Sequence, residues 1–487
     1  MADRPNIVLL FPDQLRWDFL GCYGADFIET PNIDRLAAEG VVYERALAPH
    51  PVCMPQRAAL LTGCNALTTG VISNNYWLRP DHEDCGMPTF AQLLAKAGWH
   101  TSAVGKMHFI PWDIGEGFAH RVIAEDKRHI HIEDDYHHYL ARHGLRKLRG
   151  WEEPGYTEHR MASVSPIPYE HQVDVFVGRE AVRHIEEVGD DRPFMMMVGF
   201  PGPHDPYNPP ADQAARFAPD RMPAPLAATE ATAKLAPGLV KGHAGGSSRV
   251  DLASFPDESK RLVRAHYAAL IAMIDEQVGA IVAALEARGM LDDTIIMFAS
   301  DHGDFVGDFG FLGKSLFFEP SMHVPLIVRG PGVPAGRRER ATVAVTDLFA
   351  TILAIAGIAN TTGHDSFVLP GMGLEGGGGR QFVLGATGDG MALDDGRFRL
   401  ARYRAGLATL FDLAADPAET RNLIADPAYA DVRERLDALL ANAVLQASLH
   451  AHEDRRCPYL TMTPDHPGHR EAWQRPYPFP TAARAEA

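Results

Sequence analysis

The stretch of the sequence best suited to chemistry is residues 51–57 (PVCMPQR), followed by good helix formers as far as Gly63. Pro55 suits the first position of a helix and Gly63 suits its end, so we predict a loop that delivers Cys53 to a short helix. Cys53 and Arg57 are four residues apart and can share one side of that helix. The helix N-terminus and the guanidinium both attract anions, so the pattern predicts a nucleophile beside an anion site. The alternative is a buried cysteine of an ordinary helix, because free cysteine is among the most buried residue types.

Polar side chains follow two apolar segments that have the composition of buried strands. Asp13-Gln14 comes after residues 6–11, and Asp301-His302 comes after residues 294–300. Open α/β sheets place ligands just beyond the carboxyl ends of their strands. Two carboxylates, an amide and an imidazole that meet there would suit a hard divalent cation.

The elements that must position these residues alternate between apolar strands and amphipathic helices. Continuous apolar runs such as 6–11 and 294–300 are typical of strands buried on both faces of a mostly parallel sheet. Strands are predicted at 100–105, 194–200 and 324–328, and helices at 89–97, 172–188 and 257–288. The predicted fold class is therefore α/β. The pattern then changes to a hairpin at 398–403 and 409–413 and a terminal helix, which predicts a smaller antiparallel subdomain.

Three regions depart from this alternation. Residues from about 112 to 170 are predicted to be an insertion, whose histidine-rich run 129–138 reads as a solvated helix that helps to form the rim of a pocket. Residues 224–248 are rich in Ala and Gly and are predicted to be a flexible excursion. We divide the chain into a catalytic domain (1–375), an α+β subdomain (376–455) and an extended tail (456–487). The proline-rich tail leaves a homo-oligomer open.

Composition limits the partners and the compartment. The formal net charge of −17 argues against nucleic acid and anionic membrane partners, since both need a broad basic surface. We expect no signal peptide and no stretch that approaches a membrane span. The five cysteines are odd in number and show no CxxC pair, so they read as reduced thiols of a cytoplasmic protein.

The spacing Cys-x-Pro-x-Arg, followed after four intervening residues by Thr-Gly, resembles the signature of the formylglycine-dependent sulfatases. Further segments resemble this family in the same order along the chain: residues 30–36 (TPNIDRL), 105–108 (GKMH), 301–303 (DHG), 313–314 (GK), 324–326 (VPL) and 410–423. The resemblance implies an alkaline-phosphatase-like fold, in which a large, mixed, mostly parallel sheet lies between helices and a small antiparallel sheet follows. It also implies that a formylglycine-generating enzyme binds this cysteine transiently and oxidises it to an aldehyde.

The resemblance assigns roles by position. Asp13, Gln14, Asp301 and His302 would hold one divalent metal ion together with the modified Cys53. Arg57 would stabilise the hydrated aldehyde, Lys106 and Lys314 would bind the oxygens of a small anionic ester, and His108 would assist at the hydroxyl that reforms the aldehyde. His204 would protonate the leaving oxygen, and Asn74, or the adjacent Asn75, would contact the anion. The alternatives are solvated surface lysines for Lys106 and Lys314 and a rigid turn around His204.

Two residues depart from the commonest sulfatase pattern. Gln14 and His302 resemble the phosphonate monoester hydrolase branch and some bacterial arylsulfatase-like enzymes, and they shift the expected metal from Ca²⁺ toward Mn²⁺. The Lys106-x-His108 pair is sulfatase-like. We therefore expect a sulfatase that cleaves sulfate monoesters. A phosphonate monoester or phosphodiester hydrolase and an unmodified, metal-binding pseudoenzyme are the alternatives.

Overall fold

The computed structural model describes residues 4–189, 191–245 and 249–452. The predicted tail, 456–487, lies outside the described residues. In chain order the helices are α1 (Pro31–Ala38), α2 (Cys53–Thr62), α3 (Ala66–Thr69), α4 (Phe90–Lys96), α5 (Asp135–Arg142), α6 (Val173–Glu187), α7 (Ala211–Ala214), α8 (Glu230–Gly245), α9 (Asp257–Ala287), α10 (Glu319–Met322), α11 (Asp347–Ile355) and α12 (Ala430–His452). In chain order the strands are β1 (Asn6–Leu10), β2 (Gly40–Tyr43), β3 (Ala46–Leu47), β4 (His100–Gly105), β5 (His120–Ile123), β6 (Phe194–Gly199), β7 (Thr294–Ala299), β8 (His323–Val324), β9 (Leu326–Arg329), β10 (Arg337–Glu339), β11 (Val343–Ala344), β12 (Val383–Thr387), β13 (Gly390–Asp394), β14 (Phe398–Tyr403) and β15 (Ala408–Asp412).

The main sheet has eight strands in the order β10-β2-β9-β7-β1-β6-β4-β5. Strands β7, β1, β6, β4 and β5 run parallel to one another, and β9 is antiparallel to both of its neighbours. The predicted α/β class, with a large, mixed, mostly parallel sheet, is confirmed. Because these five consecutive strands are parallel, their carboxyl ends meet at one edge of the sheet.

Both faces of this sheet are buried. Val8 and Leu10 of β1 belong to an apolar cluster that includes residues of α6 and α9. Ile7 and Leu9 point to the opposite face, where they join a second cluster with residues of α4 and α11. Side chains of a strand alternate between faces, so a strand covered on both sides must be apolar throughout. This requirement explains the uninterrupted apolar run of β1.

A separate four-stranded antiparallel sheet, in the order β12-β13-β14-β15, follows the main sheet. Helix α12 packs on it through an apolar cluster that includes Leu393, Leu400 and Leu436. The smaller C-terminal antiparallel sheet is therefore confirmed.

Several local predictions were wrong. Helix α2 begins at Cys53, so Pro55 lies at its third position and not its first. The region 112–170 is not wholly outside the sheet, because β5 pairs with β4. Within the histidine-rich run only the part from Asp135 is helical. Residues 224–248, predicted to be a flexible excursion, contain the helix α8, which has Pro237 in its interior.

Helix α9 contradicts the expectation that no stretch approaches a membrane span. Among the described helices it alone is long and apolar enough to cross a membrane by length and composition. However, 78% of its most apolar window is buried inside the protein. Its composition is that of a helix enclosed by the fold.

A buried charge cluster links the four-stranded sheet to helix α10 and leads to a prediction about pH. Arg399 of β14 binds Glu319, Asp394 and Glu419, in each case within 2.9 Å. Burial and the neighbouring Glu319 raise the pKa of Glu419 to about 8, although Arg399 opposes this rise. The folded protein therefore holds a proton here that the unfolded chain releases, so stability falls as the pH rises from the ordinary glutamate range to about 8.

We expect Glu419→Gln to remove this pH dependence, which amounts to about 5 kcal/mol across that range. The measurement is urea unfolding of both proteins at several pH values. The slopes are compared, because glutamine cannot accept the hydrogen bonds of both Arg399 and the Glu319 N–H. Parallel curves for the two proteins would contradict the prediction.

Candidate active site

The predicted site residues follow the four central parallel strands, whose order in the sheet is β7-β1-β6-β4. A single stretch of the sheet edge therefore carries Asp301 and His302 after β7, Asp13 and Gln14 after β1, His204 after β6, and Lys106 and His108 after β4. All of these side chains are buried. The topology accounts for their proximity, since parallel neighbours end at the same edge.

Helix α2 presents Cys53 to this edge. Val52 is extended, the helix begins at Cys53, and Gly63 ends it in the left-handed conformation at φ 67°. The Cys53 Sγ lies 3.2 Å from Lys314 Nζ, 3.2 Å from His302 Nε2 and 3.8 Å from Asp13 Oδ1. The structure thus brings the cysteine, the predicted metal ligands and one anion-binding lysine together.

The surroundings of Cys53 favour negative charge at this position. Burial by itself raises the pKa of the thiol, but Lys314, Lys106 and His302 together lower it well below its ordinary value. A hydrogen bond from His108 acts in the same direction. Any anion held at residue 53 would therefore be stabilised by the same cations.

Arg57 lies behind the carboxylates and does not reach the cysteine. Its Nε donates to Asp301 Oδ2 at 2.9 Å, its Nη2 to Asp13 Oδ2 at 3.0 Å, and its Nη1 to the Lys106 carbonyl at 2.8 Å. Arg57 is 1% exposed. Among the described residues, its hydrogen bonds therefore orient the predicted metal ligands and do not contact residue 53.

The donor atoms at the sheet edge fit a divalent cation. One ligand atom from each of Asp13, Cys53, Asp301 and His302 lies within 4.8 Å of the others. Burial and the nearby charge of Asp13 raise the pKa of Asp301. A cation between the two carboxylates would relieve this repulsion, and carboxylate oxygens are preferred ligands of hard cations.

The predicted anion-binding residues have different surroundings. Lys106 is fully buried between Asp13, at 2.9 Å, and Asp126, at 3.0 Å, which excludes the solvated-lysine alternative for this residue. Lys314 is half-buried, and its Nζ donates to His204 Nε2 at 2.6 Å. His204 therefore belongs to the cluster, and its Nδ1 faces the Asp205 carbonyl at 2.8 Å.

The two candidate asparagines, Asn74 and Asn75, differ in their contact with helix α2. The Asn74 Oδ1 accepts the Met54 N–H at 2.9 Å, so this side chain caps the first turn of α2. Asn75 is exposed, and its N–H donates to Ser73. The structure therefore places Asn74, and not Asn75, beside the candidate nucleophile.

Sequence reasoning missed four acidic or basic residues of the site. Asp126 binds both Lys106 and Arg128, and Arg128 Nη2 lies 3.1 Å from His204 Nε2. Asp205 lies 3.2 Å from His204 Nδ1, and Asp304 binds the side-chain amide of Gln14. Asp126 follows β5 at the same edge of the sheet, so recognition of that strand would have pointed to it.

A cavity of about 530 Å³ adjoins the site, because His108, Arg128 and Asn74 belong to its lining. Its lining also includes the apolar side chains of Phe109, Ile110 and Trp112. Residues 112–132 contribute half of the lining, including His129, whose ring lies 5.6 Å from that of His108.

The fold and the site together define a hydrolase of the alkaline phosphatase superfamily. Residues 5–358 match the family model described as "Sulfatase". The chain therefore belongs to the sulfatase family and is a sulfatase enzyme. It is 28% identical to an arylsulfatase of Clostridium perfringens, with 90% of this chain and 93% of the relative covered. It is also 28% identical to a choline-sulfatase of Rhizobium meliloti, with 94% and 87% covered.

The fold is similar to that of a solved phosphonate monoester hydrolase from Agrobacterium radiobacter. The TM-score is 0.77 at 27% sequence identity, and the match covers 91% of this chain and 96% of that one. These similarities confirm the predicted sulfatase family and the predicted phosphonate monoester hydrolase-like branch.

Proposed function

We propose that the enzyme cleaves sulfate monoesters with an aldehyde made from Cys53 and one divalent metal ion. The observation that carries this proposal is the position of the Cys53 Sγ, which is 3.2 Å from an ammonium and from an imidazole and 3.8 Å from a buried carboxylate. A thiol has one nucleophilic atom, whereas a hydrated aldehyde has two hydroxyls on one carbon. One hydroxyl attacks sulfur as the bond to the alcohol breaks, and loss of the second proton then expels sulfate and reforms the aldehyde.

The residues around position 53 can serve these steps. Lys106 and Lys314 stabilise the charge on the transferred group, because fixed cations in a dry site act strongly on developing charge. The His204 Nε2 hydrogen-bonds to Lys314 Nζ, and protonated His204 delivers a proton to the leaving oxygen. His108, which hydrogen-bonds to residue 53, accepts the proton of the second hydroxyl.

Asp13, Gln14, Asp301 and His302 would hold the metal ion together with the modified residue 53. Bound there, Ca²⁺ or Mn²⁺ would act as a Lewis acid toward the transferred group. The imidazole and the neutral amide favour Mn²⁺ over Ca²⁺, which prefers more oxygen ligands. Arg57 serves this metal site by fixing both carboxylates.

Phosphonate monoester or phosphodiester hydrolysis is the second candidate function. It is favoured by the presence of both Gln14 and His302 at the site and by the similarity to the phosphonate monoester hydrolase structure. The Lys106-x-His108 pair argues for sulfate, since its charge and imidazole face residue 53.

The two functions are separated by an aryl sulfate and an aryl phosphonate monoester that release the same phenol. We expect kcat/KM to be about tenfold or more higher for the sulfate, with either Mn²⁺ or Ca²⁺ bound. The matched phenol removes differences in the leaving group. A clear preference for the phosphonate would overturn the first proposal in favour of the second.

We also propose that the enzyme works in the cytoplasm on small anionic esters, after transient contact with a formylglycine-generating enzyme. The four described cysteines all carry thiols, which supports a reducing compartment. The net charge of −17 supports the absence of nucleic acid and membrane partners. A homo-oligomer remains a prediction for light scattering of the full-length protein.

A further inference from the structure

The orientation of one amide decides whether Gln14 can bind a cation. The side chain of glutamine has a carbonyl oxygen, which accepts, and an NH₂ group, which only donates. A cation can be bound by the oxygen and is repelled by the NH₂ group. A residue that fixes this orientation would therefore control the metal site without touching the metal.

Asp304 is placed to do this. Its Oδ1 accepts the backbone N–H of Val306 at 2.9 Å and that of Gly313 at 2.8 Å. Its Oδ2 accepts the Tyr207 hydroxyl at 2.7 Å and the Nε2 of Gln14. Asp304 is completely buried. Because all four of its partners donate, the NH₂ group of Gln14 must face Asp304 and its oxygen must face the other way.

That other way is toward the candidate nucleophile. The Gln14 Oε1 accepts from Lys314 Nζ at 2.5 Å, and the same Nζ lies 3.2 Å from Cys53 Sγ. The backbone of Gln14 is also held, because its N–H donates to Asp301 Oδ1 at 2.9 Å and its carbonyl accepts from Tyr267. Gln14 has φ 69°, a strained conformation for this residue type that persists only where the surroundings impose it.

We propose that Asp304 is a positioning residue that holds the Gln14 oxygen toward the metal site and so strengthens binding of the divalent ion. This inference rests on the proposed function, because it takes Gln14 to be a metal ligand. It goes beyond that function by assigning a role to a side chain that contacts neither the substrate nor the ion.

The test is Asp304→Asn. The N–H groups of Val306 and Gly313 require the asparagine oxygen on their side, so its NH₂ group takes the place of Oδ2 and faces Gln14. Two NH₂ groups cannot bond to each other, so Gln14 turns and presents its own NH₂ group to the metal site. We expect the Kd for Mn²⁺, measured by calorimetry on metal-free protein, to rise about 10–100-fold, as for other residues that orient ligands.

A double variant separates positioning from a general structural role. In Gln14→Glu with Asp304→Asn, the glutamate accepts from the asparagine NH₂ group and keeps its second oxygen toward the metal site. We expect its Kd for Mn²⁺ to return to within about threefold of wild type. Tyr207→Phe is the matched control, since it removes another donor to the same Oδ2 and leaves Gln14 in place. It is expected to change the Kd by less than about threefold.

The outcomes are distinct. An unchanged Kd for Asp304→Asn, or a weakened Kd that the double variant does not restore, would overturn the role of Asp304. A wild-type protein that binds no Mn²⁺ or Ca²⁺ would overturn the metal site, and with it the proposed function. Thermal unfolding of each variant identifies a loss of folding, and the double variant then decides the role of Asp304 because it restores the hydrogen-bond pattern.

Discussion

Replacement of Cys53 by alanine is expected to lower kcat for an aryl sulfate by a factor on the order of 10⁴ to 10⁶, the cost of losing a nucleophile whose partners remain in place. The variant keeps Lys106, Lys314 and the other proposed metal ligands, so substrate binding should persist while turnover stops. The measurement is steady-state kinetics with protein made together with a formylglycine-generating enzyme.

Cys64 provides a matched control. It is also completely buried and lies just beyond the other end of helix α2, where its thiol donates to the carbonyl groups of Thr62 and Thr362. Cys64→Ala should keep kcat within about threefold of wild type, because it is remote from the cluster around residue 53. Equal losses in the two variants would indicate damage to the helix and not loss of a nucleophile.

Mass spectrometry of the peptide that contains residue 53 decides whether the thiol has become an aldehyde. We expect activity to rise in proportion to the aldehyde fraction. Full activity in protein that retains only the thiol would contradict the proposed mechanism. An intact thiol together with metal binding and no turnover would favour the pseudoenzyme alternative.

The parts of the site that follow long apolar strands could be predicted from the sequence. Asp13 and Asp301 come directly after β1 and β7, whose uninterrupted apolar runs are readily recognised. The structure places both near Cys53 because those strands are neighbours in the sheet. The order of strands in a sheet is a tertiary property that no local sequence pattern contains. The sequence therefore predicted that these residues lie at the carboxyl edge of the sheet, but not which strand ends lie next to each other.

The missed residues follow elements without such a pattern. Strand β5 has the sequence HRVI and lies at the edge of the sheet, where one side is free of the requirement for apolar residues. Asp126 and Arg128, which come after it, were therefore assigned to an insertion. Asp304 was visible beside the Asp301-His302 pair, but its contact with Gln14 depends on a loop that returns at Gly313.

The sequence indicated that Arg57 belongs to the site, but it did not predict which groups the guanidinium contacts. A spacing of four residues predicts that Arg57 shares a side of α2 with Cys53, yet the guanidinium passes behind the carboxylates. The ring of Phe11 packs against it, 5.2 Å from the guanidinium carbon. The planar guanidinium has three nitrogens and can bind two carboxylates and a carbonyl at once. In the buried site this arrangement is preferable to one in which the guanidinium is exposed at an anion site.

Arg57→Ala is expected to cost about 3–5 kcal/mol of stability, because it leaves two buried carboxylates without their shared counter-charge. Arg57 is 1% exposed, and Asp13 and Asp301 are completely buried, so water cannot replace the lost hydrogen bonds. Activity should fall as well, since the metal ligands lose their orientation. The stability of Arg57→Lys should lie between that of wild type and that of Arg57→Ala, because an ammonium keeps the charge but cannot reproduce the planar set of hydrogen bonds.

Arg35 provides the control for this prediction. It also bridges two carboxylates, those of Glu39 and Glu286, but its side chain is 46% exposed. Arg35→Ala should cost less than about 1 kcal/mol, because exposed ion pairs are screened by water. Urea unfolding of the four proteins gives the comparison. A loss below 1 kcal/mol for Arg57→Ala would show that these carboxylates do not depend on a shared cation.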